Sequence, residues 1–139
     1  MIILDTNVLS ALMRAVPDVP VIDWLDRQPP ESVWITSVTL FELRYGLNLL
    51  PKGRRRQELE SAFERLLSDD LENRVLDFDS AAASAAAVLT ATRQRAERPV
   101  DVRDTQIAGI ALARRATLAT RNVQHFRDLK VPLVNPWLD

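Results

Sequence analysis

Apolar residues along this chain fall into short continuous runs separated by longer segments with helical spacing. Ile2-Ile3-Leu4 is a run typical of a buried strand. It stops at Asp5-Thr6-Asn7, residues that favour turns and helix caps, and a helical pattern follows through Val8, Leu9 and Leu12. Val21 to Gln28 predicts a second helix, closed by Pro29-Pro30. Val33-Trp34-Ile35 is a second strand candidate, after which Thr36-Ser37 offers a cap for a helix from about Val38 to Leu50 that stops near Pro51-Lys52-Gly53. Arg54 to Leu67 predicts an exposed amphipathic helix, with Leu59, Phe63, Leu66 and Leu67 on its apolar stripe.

Val75-Leu76 with Phe78 gives a third strand, and Ser80 opens a long Ala-rich helix expected to end before Pro99. A further helix runs from about Asp101 through Arg115. Thr117-Leu118-Ala119 reads as a short strand, His125 to Leu129 as a helical turn and Val131 to Val134 as a final strand. Such alternation of strands and helices argues for an α/β fold, a mostly parallel sheet flanked by helices with right-handed crossovers. Functional groups in that architecture gather beyond the carboxyl ends of the strands.

The chain has 139 residues, which suits one domain spanning 1–139. Hydrophobic residues make up 47% and charged residues 27%, an ordinary globular profile that needs no staples. Cysteine is absent, which excludes disulfides and thiolate metal sites and fits a reducing cytoplasm. The apolar start is interrupted at once by Asp5 with no basic segment before it, so no signal peptide is expected. The longest apolar run, around Ala81 to Ala91, is shorter than the ~18–20 residues a membrane span requires. Net charge is −1, so a polyanion would have to be gripped locally. Only Lys52 and Lys130 are lysines, leaving sixteen of the eighteen basic residues as arginine. Arginine offers phosphate a flat bidentate fork, although coding bias produces the same excess.

Four polar positions fall where the predicted sheet would present them. Asp5 directly follows the first strand, as a helix cap or as a functional carboxylate. Glu42 lies roughly 120–160° around its helix from Arg44 and Asn48, which mark the solvent face at about 100° per residue. Its flanks are Val38, Tyr45 and Leu49 on one side and Leu43, Leu47 and Leu50 on the other. A carboxylate in an apolar face must find a partner or lose its charge, so either a buried ion pair or a functional pocket is implied. Asp104 occupies the first turn of its helix on the face of Ile107, Ala108 and Ala111, where a contact with the helix dipole or a capping arrangement with Asp101 is the simpler reading. Asn122 follows the Thr117–Ala119 strand, as the Asx residue of a turn or as a neutral ligand.

Three carboxylates converging on one edge would repel one another by about 4 kcal/mol per pair at 4 Å and an effective dielectric of 20. Either one protonates or a cation neutralises the cluster. The donors are hard oxygens with no cysteine or nearby histidine pair, which suits Mg²⁺ or Mn²⁺ rather than zinc. Such a centre polarises a phosphodiester for in-line attack by water.

At these residues the sequence resembles the PIN-domain family, in particular the VapC-type toxins of bacterial toxin–antitoxin pairs. The matching segments are Ile3-Leu4-Asp5-Thr6-Asn7-Val8-Leu9, Thr36 to Gly46 around Glu42, Asp104-Thr105-Gln106-Ile107-Ala108, Leu118 to Val123 and Val134-Asn135-Pro136-Trp137. The resemblance implies a PIN-like three-layer sandwich and an endoribonuclease that cuts RNA with water and a divalent metal. It also implies a homodimer and a cognate antitoxin that blocks the site, often with an inserted basic residue. Asp5, Glu42 and Asp104 match the family's acidic ligands, and Asn122 matches a fourth position where many members carry Asp. Thr6, Thr36 and Thr120 fall near that centre, where they would orient water or phosphate.

Other chemistries find less support. There is no nucleophile elbow, no P-loop and no cysteine, and the single histidine, His125, reads as a surface turn residue. Arg54-Arg55-Arg56 is either an RNA-backbone contact or a solvated helix start. The Ala-rich helix belongs to a tight core contact or a dimer seam. Two alternatives remain: a catalytically weak member that binds RNA or a partner protein, and an acidic-site phosphatase. The latter would need a lysine beside one of the acids, and neither lysine is adjacent in sequence.

Overall fold

Three residues at the start of the chain form the middle of the sheet. In the computed structural model, which describes residues 1–98 and 101–139, β1 (Ile2–Leu4) is extended on one side by β2 (Val33–Thr36) and β3 (Val75–Leu76). On the other side lie β4 (Thr117–Ala119) and β5 (Leu133–Val134), giving the order β3-β2-β1-β4-β5. All four pairings are parallel, with Ile2 opposite both Val33 and Thr117 and Leu4 opposite Ala119. The carboxyl ends of all five strands therefore point to one edge; the first three crossovers are carried by helices, and the last by a loop with one short turn.

Side chains alternate across the sheet and feed two separate cores. Ile3 and Leu118 join one core with residues of α5 (Ser80–Arg95) and α6 (Val102–Arg114), together with Phe126 and Leu129. Leu4, Val33, Ile35 and Ala119 face the other core. There they meet α1 (Thr6–Leu12), α2 (Val19–Asp26), Leu47 of α3 (Ser37–Leu49) and Phe63 of α4 (Arg54–Arg65). The result is the expected three-layer α/β sandwich.

Helix starts follow the sequence signals. Asp5, Thr36, Asp79 and Asp101 each cap a helix through a side-chain oxygen that accepts a first-turn N–H. Boundaries differ where packing overrides local pattern. The regular part of α4 stops at Arg65, and a widened π turn over Leu66–Asp70 carries Leu67 and Leu71 into the same core. The last strand keeps only Leu133–Val134, and the expected turn at His125–Leu129 is a 3₁₀ turn over Val123–Phe126. Phe78 lies beyond β3, where its N–H donates to Ser37 Oγ at 3.0 Å. Pro99, expected to close the Ala-rich helix, lies outside the described residues. No helix among the described residues is long and apolar enough to cross a membrane.

The Ala-rich helix packs tightly against α6. A Cβ built on Gly109 of α6 would sit 2.6 Å from the Ala82 carbonyl oxygen and 2.7 Å from the Ala86 Cβ of α5. Only a residue without a side chain allows the two backbones this approach. Gly109→Ala would gain about 1 kcal/mol of helix propensity. It would lose about 1–3 kcal/mol to overpacking, and more where the obstacle is a backbone carbonyl. A net loss of roughly 1–2 kcal/mol in urea unfolding is expected; unchanged stability would mean the helices part easily.

Candidate active site

Asp5 stands at the carboxyl end of the central strand. Its N–H donates to the Ala119 carbonyl at 2.9 Å, one residue beyond the strand, which fixes the backbone before the side chain leaves it. Oδ1 accepts the Thr6 N–H at 2.8 Å, and Oδ2 accepts the Thr120 hydroxyl at 2.7 Å and the Asn7 amide at 3.4 Å. The residue is 3% exposed. Burial pushes its pKa up to about 6 from 3.8; the Thr120 and Thr6 donors oppose this, and the charges of Asp104 and Glu42 add to it. Capping and a place in the acidic cluster are thus one arrangement, not alternatives.

Glu42 reaches the same place from α3. Thr6 Oγ1 donates to its Oε1 at 3.0 Å, and the Thr6 and Thr39 hydroxyls are 2.9 Å apart. A hydroxyl has one proton. With that of Thr6 directed at Glu42, Thr39 must donate to Thr6. Thr36 Oγ1 in turn donates to Thr39 at 3.4 Å and accepts the Thr39 N–H at 3.1 Å. Three threonines form a one-way chain ending on the carboxylate. Thr36 and Thr39 are fully buried, so Thr36 acts through this chain and does not face the pocket as expected. Burial raises the Glu42 pKa, while the Thr6 bond and the Arg103 charge hold it down. Arg103 Nη1 lies 3.9 Å from Oε2.

The environment of Glu42 departs from the helical-wheel expectation. Tyr45 and Leu49, taken there as apolar flanks, are exposed together with Phe41, and the Phe41 and Tyr45 rings stack 6.0 Å apart. Arg44, taken as a solvent marker, lies over the Phe63 ring at 4.8 Å and pairs with Glu64. Helical spacing gave the angles correctly, but which arc faces the sheet depends on neighbouring elements.

Asp104 enters from the first turn of α6, while Asp101 takes the capping role by accepting the Arg103 N–H at 2.8 Å. Burial raises the Asp104 pKa, the Asp101 charge adds to this, and His125 opposes it. His125 Nδ1 lies 3.6 Å from Asp104 Oδ2. The histidine sits on a surface turn as read from sequence, but that turn leans on the acidic edge. Behind it is Arg93, 3% exposed, which donates twice to Asp128 at 2.8 and 2.9 Å, to the His125 carbonyl at 2.7 Å and to Thr105 Oγ1 at 3.2 Å. This one guanidinium joins the start of α6 to the turn carrying His125. The Arg93 bonds hold the Asp128 carboxyl below the usual carboxylate range. The only sequence sign of Arg93 is a charge on a helix otherwise rich in alanine.

An open pocket of about 350 Å³ is lined by Asp5, Glu42, Asp104 and Asn122, with Thr6, Asn7, Ser10, Arg14, Arg121 and Trp137. All four positions singled out in the sequence therefore meet. Asn122 is exposed, and its turn is closed by its own carbonyl, which accepts the His125 N–H at 3.0 Å, so no side-chain Asx bond is needed. Arg103, His125 and Arg93 were not anticipated, because each is recruited by tertiary packing. Neither lysine lines the pocket, which leaves the phosphatase alternative without its cation. Arg54 and Arg56 pair with Glu58 and Glu60 one helical turn on, as a solvated helix start would.

The donor set fits a hard divalent cation in kind: three carboxylates, each raised in pKa by burial, and a neutral amide on one pocket wall. Among the described residues no three of these groups are already drawn into a tight cage. Instead the Arg103 guanidinium faces Glu42 and the His125 ring faces Asp104, in positions a metal would compete for.

Comparison with known proteins agrees with this arrangement. Residues 2–131 match the PIN domain. Over 137 residues, 99% of both chains, the sequence is 40% identical to the plasmid stability protein StbB of Pseudomonas syringae pv. tomato. It is 36% identical to the VapC ribonuclease Y4jK of Sinorhizobium fredii, over 99% of this chain and 98% of that one. The crystal structure of FitAcB from Neisseria gonorrhoeae superposes over the full length of both chains with a TM-score of 0.86 at 33% identity.

Two measurements follow. Between about pH 4 and pH 6 the folded chain retains an Asp5 proton that the unfolded chain has lost, so this group lowers stability as pH rises through that window and by a constant amount above it. In EDTA at pH 8, Asp5→Asn should therefore be more stable than the parent in urea unfolding, by about 3 kcal/mol, with the gap closing towards pH 4; lower stability at pH 8 would contradict this. Asp128→Ala removes two of the four hydrogen bonds of buried Arg93 and should cost about 1–3 kcal/mol, read from chemical unfolding at pH 7.

Proposed function

The chain belongs to the PIN-domain family, and from that membership we propose that it is a divalent-metal-dependent endoribonuclease, the toxin of a toxin–antitoxin pair. The observation that carries this reading is the convergence of Asp5, Glu42 and Asp104 on one pocket at the carboxyl edge of a parallel sheet. Three buried-side acids of raised pKa are costly in a stable fold and useful in a cation-assisted hydrolase. Asp5, Glu42 and Asp104 would hold Mg²⁺ or Mn²⁺, with Asn122 as a neutral fourth donor that weakens any second ion. Bound there, the cation offsets phosphate charge and lowers the pKa of water.

The chain's own residues do the rest. Thr120 and the Thr6 N–H hold both oxygens of Asp5, so the carboxylate cannot rotate away. The threonine chain fixes Oε1 of Glu42 and leaves Oε2 towards Arg103. Arg93 sets the spacing between the start of α6 and the His125 turn. These supports leave little reorganisation for the moment of reaction.

The resemblance also assigns a cognate antitoxin and a homodimer. Phe41, Tyr45 and Leu49 form an exposed apolar stripe on α3, and burial against a second copy would remove that surface from water. A chain without cysteine fits the cytoplasm. A second reading, a member that holds RNA or a partner without cutting, is favoured by the amide at Asn122. Calorimetric titration with Mg²⁺ separates them, since a pure binder has no saturable divalent site.

The purified protein should cut RNA in Mg²⁺ or Mn²⁺. Cutting should vanish in EDTA and fall at least 100-fold, a loss of about 3 kcal/mol in transition-state stabilisation, in folded Asp5→Asn and Asp104→Asn. Activity retained in either folded variant would remove that residue from the centre.

A further inference from the structure

The pocket that gathers three acids must also accept a phosphodiester strand, and like charge would repel it. Two arginines line the same pocket. Arg121 follows β4 and lies over the Trp137 ring, its Cζ 4.7 Å from the ring centroid. Trp137 is itself anchored, its indole N–H donating to Asp18 Oδ2 at 2.9 Å and its backbone N–H to Asn135 Oδ1 at 3.0 Å. The same Asp18 oxygen lies 3.6 Å from Arg14 Nη1. Asp18 thus ties one arginine directly and, through the indole, supports the shelf on which the other rests.

This bracket is tied to the acids as well. Asn7 Oδ1 accepts the Arg121 N–H at 3.3 Å, while its amide donates to Asp5 Oδ2 at 3.4 Å. One side chain therefore sets the distance from the basic rim to the central carboxylate. Arg14, Arg121 and Trp137 all line the acidic pocket. A guanidinium stacked on an indole face keeps its N–H edge free for a phosphate fork. Elsewhere Arg54 and Arg56 of α4 are engaged by glutamates of their own helix.

We infer that Arg14 and Arg121 grip the RNA backbone phosphates on either side of the bond presented to the acids, with Trp137 holding Arg121 in place. The inference rests on the nuclease reading of this pocket and adds how the strand is bound. Contacts of this kind read phosphate and not base, so they supply affinity and register, and target choice lies elsewhere. They also explain how a chain of net charge −1 holds a polyanion: the positive charge is local and faces the place where it is needed.

The test is fluorescence anisotropy with a 5′-labelled single-stranded RNA oligonucleotide in EDTA across 25–200 mM KCl, in the Asp5→Asn background so that no strand is consumed. Each of Arg14→Gln and Arg121→Gln should weaken binding and lower the slope of log affinity against log salt by about 0.7–1, with the double variant losing about twice that. Trp137→Ala retains both charges, so it should weaken binding with a slope close to the parent's, as loss of a positioning shelf would. Both arginines are exposed, so their variants stay folded even if Trp137→Ala loosens the C-terminal turn. Unchanged affinity and slope in both arginine variants, or no RNA binding by the parent, would overturn the clamp. Cleavage by the wild-type protein in Mg²⁺ is assayed in parallel. Cutting with an unmoved slope discards the clamp and keeps the nuclease, whereas moved slopes with neither cutting nor a saturable Mg²⁺ site keep the clamp and discard the nuclease.

Discussion

Taking a carboxylate out of water costs several kcal/mol even after relaxation, and Asp5 bears that cost at the end of the central strand with two further acids on the same pocket wall. Much of the surrounding structure limits the penalty. The Thr6 main-chain N–H and the Asn7 amide, its chain neighbours, and the Thr120 hydroxyl, from the far end of the chain, are directed at its two oxygens. The parallel sheet brings them together because β1 and β4 are neighbours and end level with each other. The site is thus inseparable from the strand order. A different neighbour for β1 would remove Thr120 and leave the charge without its strongest donor.

The same logic extends outward. Countercharge reaches Glu42 from Arg103 and Asp104 from His125, while Arg93, buried behind them, holds the pieces that carry Asp104 and His125 in register. Groups nearest the acids are neutral donors with fixed directions; charged groups stand further out and are more exposed. An inner layer of oriented dipoles with an outer layer of movable charge would suit the cation binding proposed for this pocket. Family membership and the VapC ribonuclease relative fit this pattern, since cation-assisted hydrolysis asks for both layers.

Much of this was legible in the sequence because it depends on local chemistry. Short apolar runs marked every strand, capping residues marked several helix starts, Asp5, Asp104 and Asn122 were found at strand ends or a helix start that a parallel sheet must bring to one edge, and Glu42 stood out as a carboxylate among apolar neighbours on its helix. What escaped was relational. The outward turn of Tyr45 and Leu49 depends on which neighbours cover α3, and a helical wheel carries no such information. Arg93 and His125 acquire their parts only when α5, α6 and the 123–126 turn meet. The shift of α4 into a wider turn near Leu66 is likewise dictated by the core that Leu67 and Leu71 share.

Gly109 shows how such relations constrain change over generations. Its partner across the helix contact is partly a main-chain carbonyl, so no single replacement on α5 could make room for a side chain. Trimming Ala86 would clear one obstacle and leave the Ala82 oxygen in place. Larger residues at this position become accessible only if α5 withdraws as a body, which would pull on the Arg93 cross-link and move the start of α6. The separation between those helices is therefore transmitted as a unit: a lineage may vary its pocket rim residue by residue, but must inherit this spacing whole.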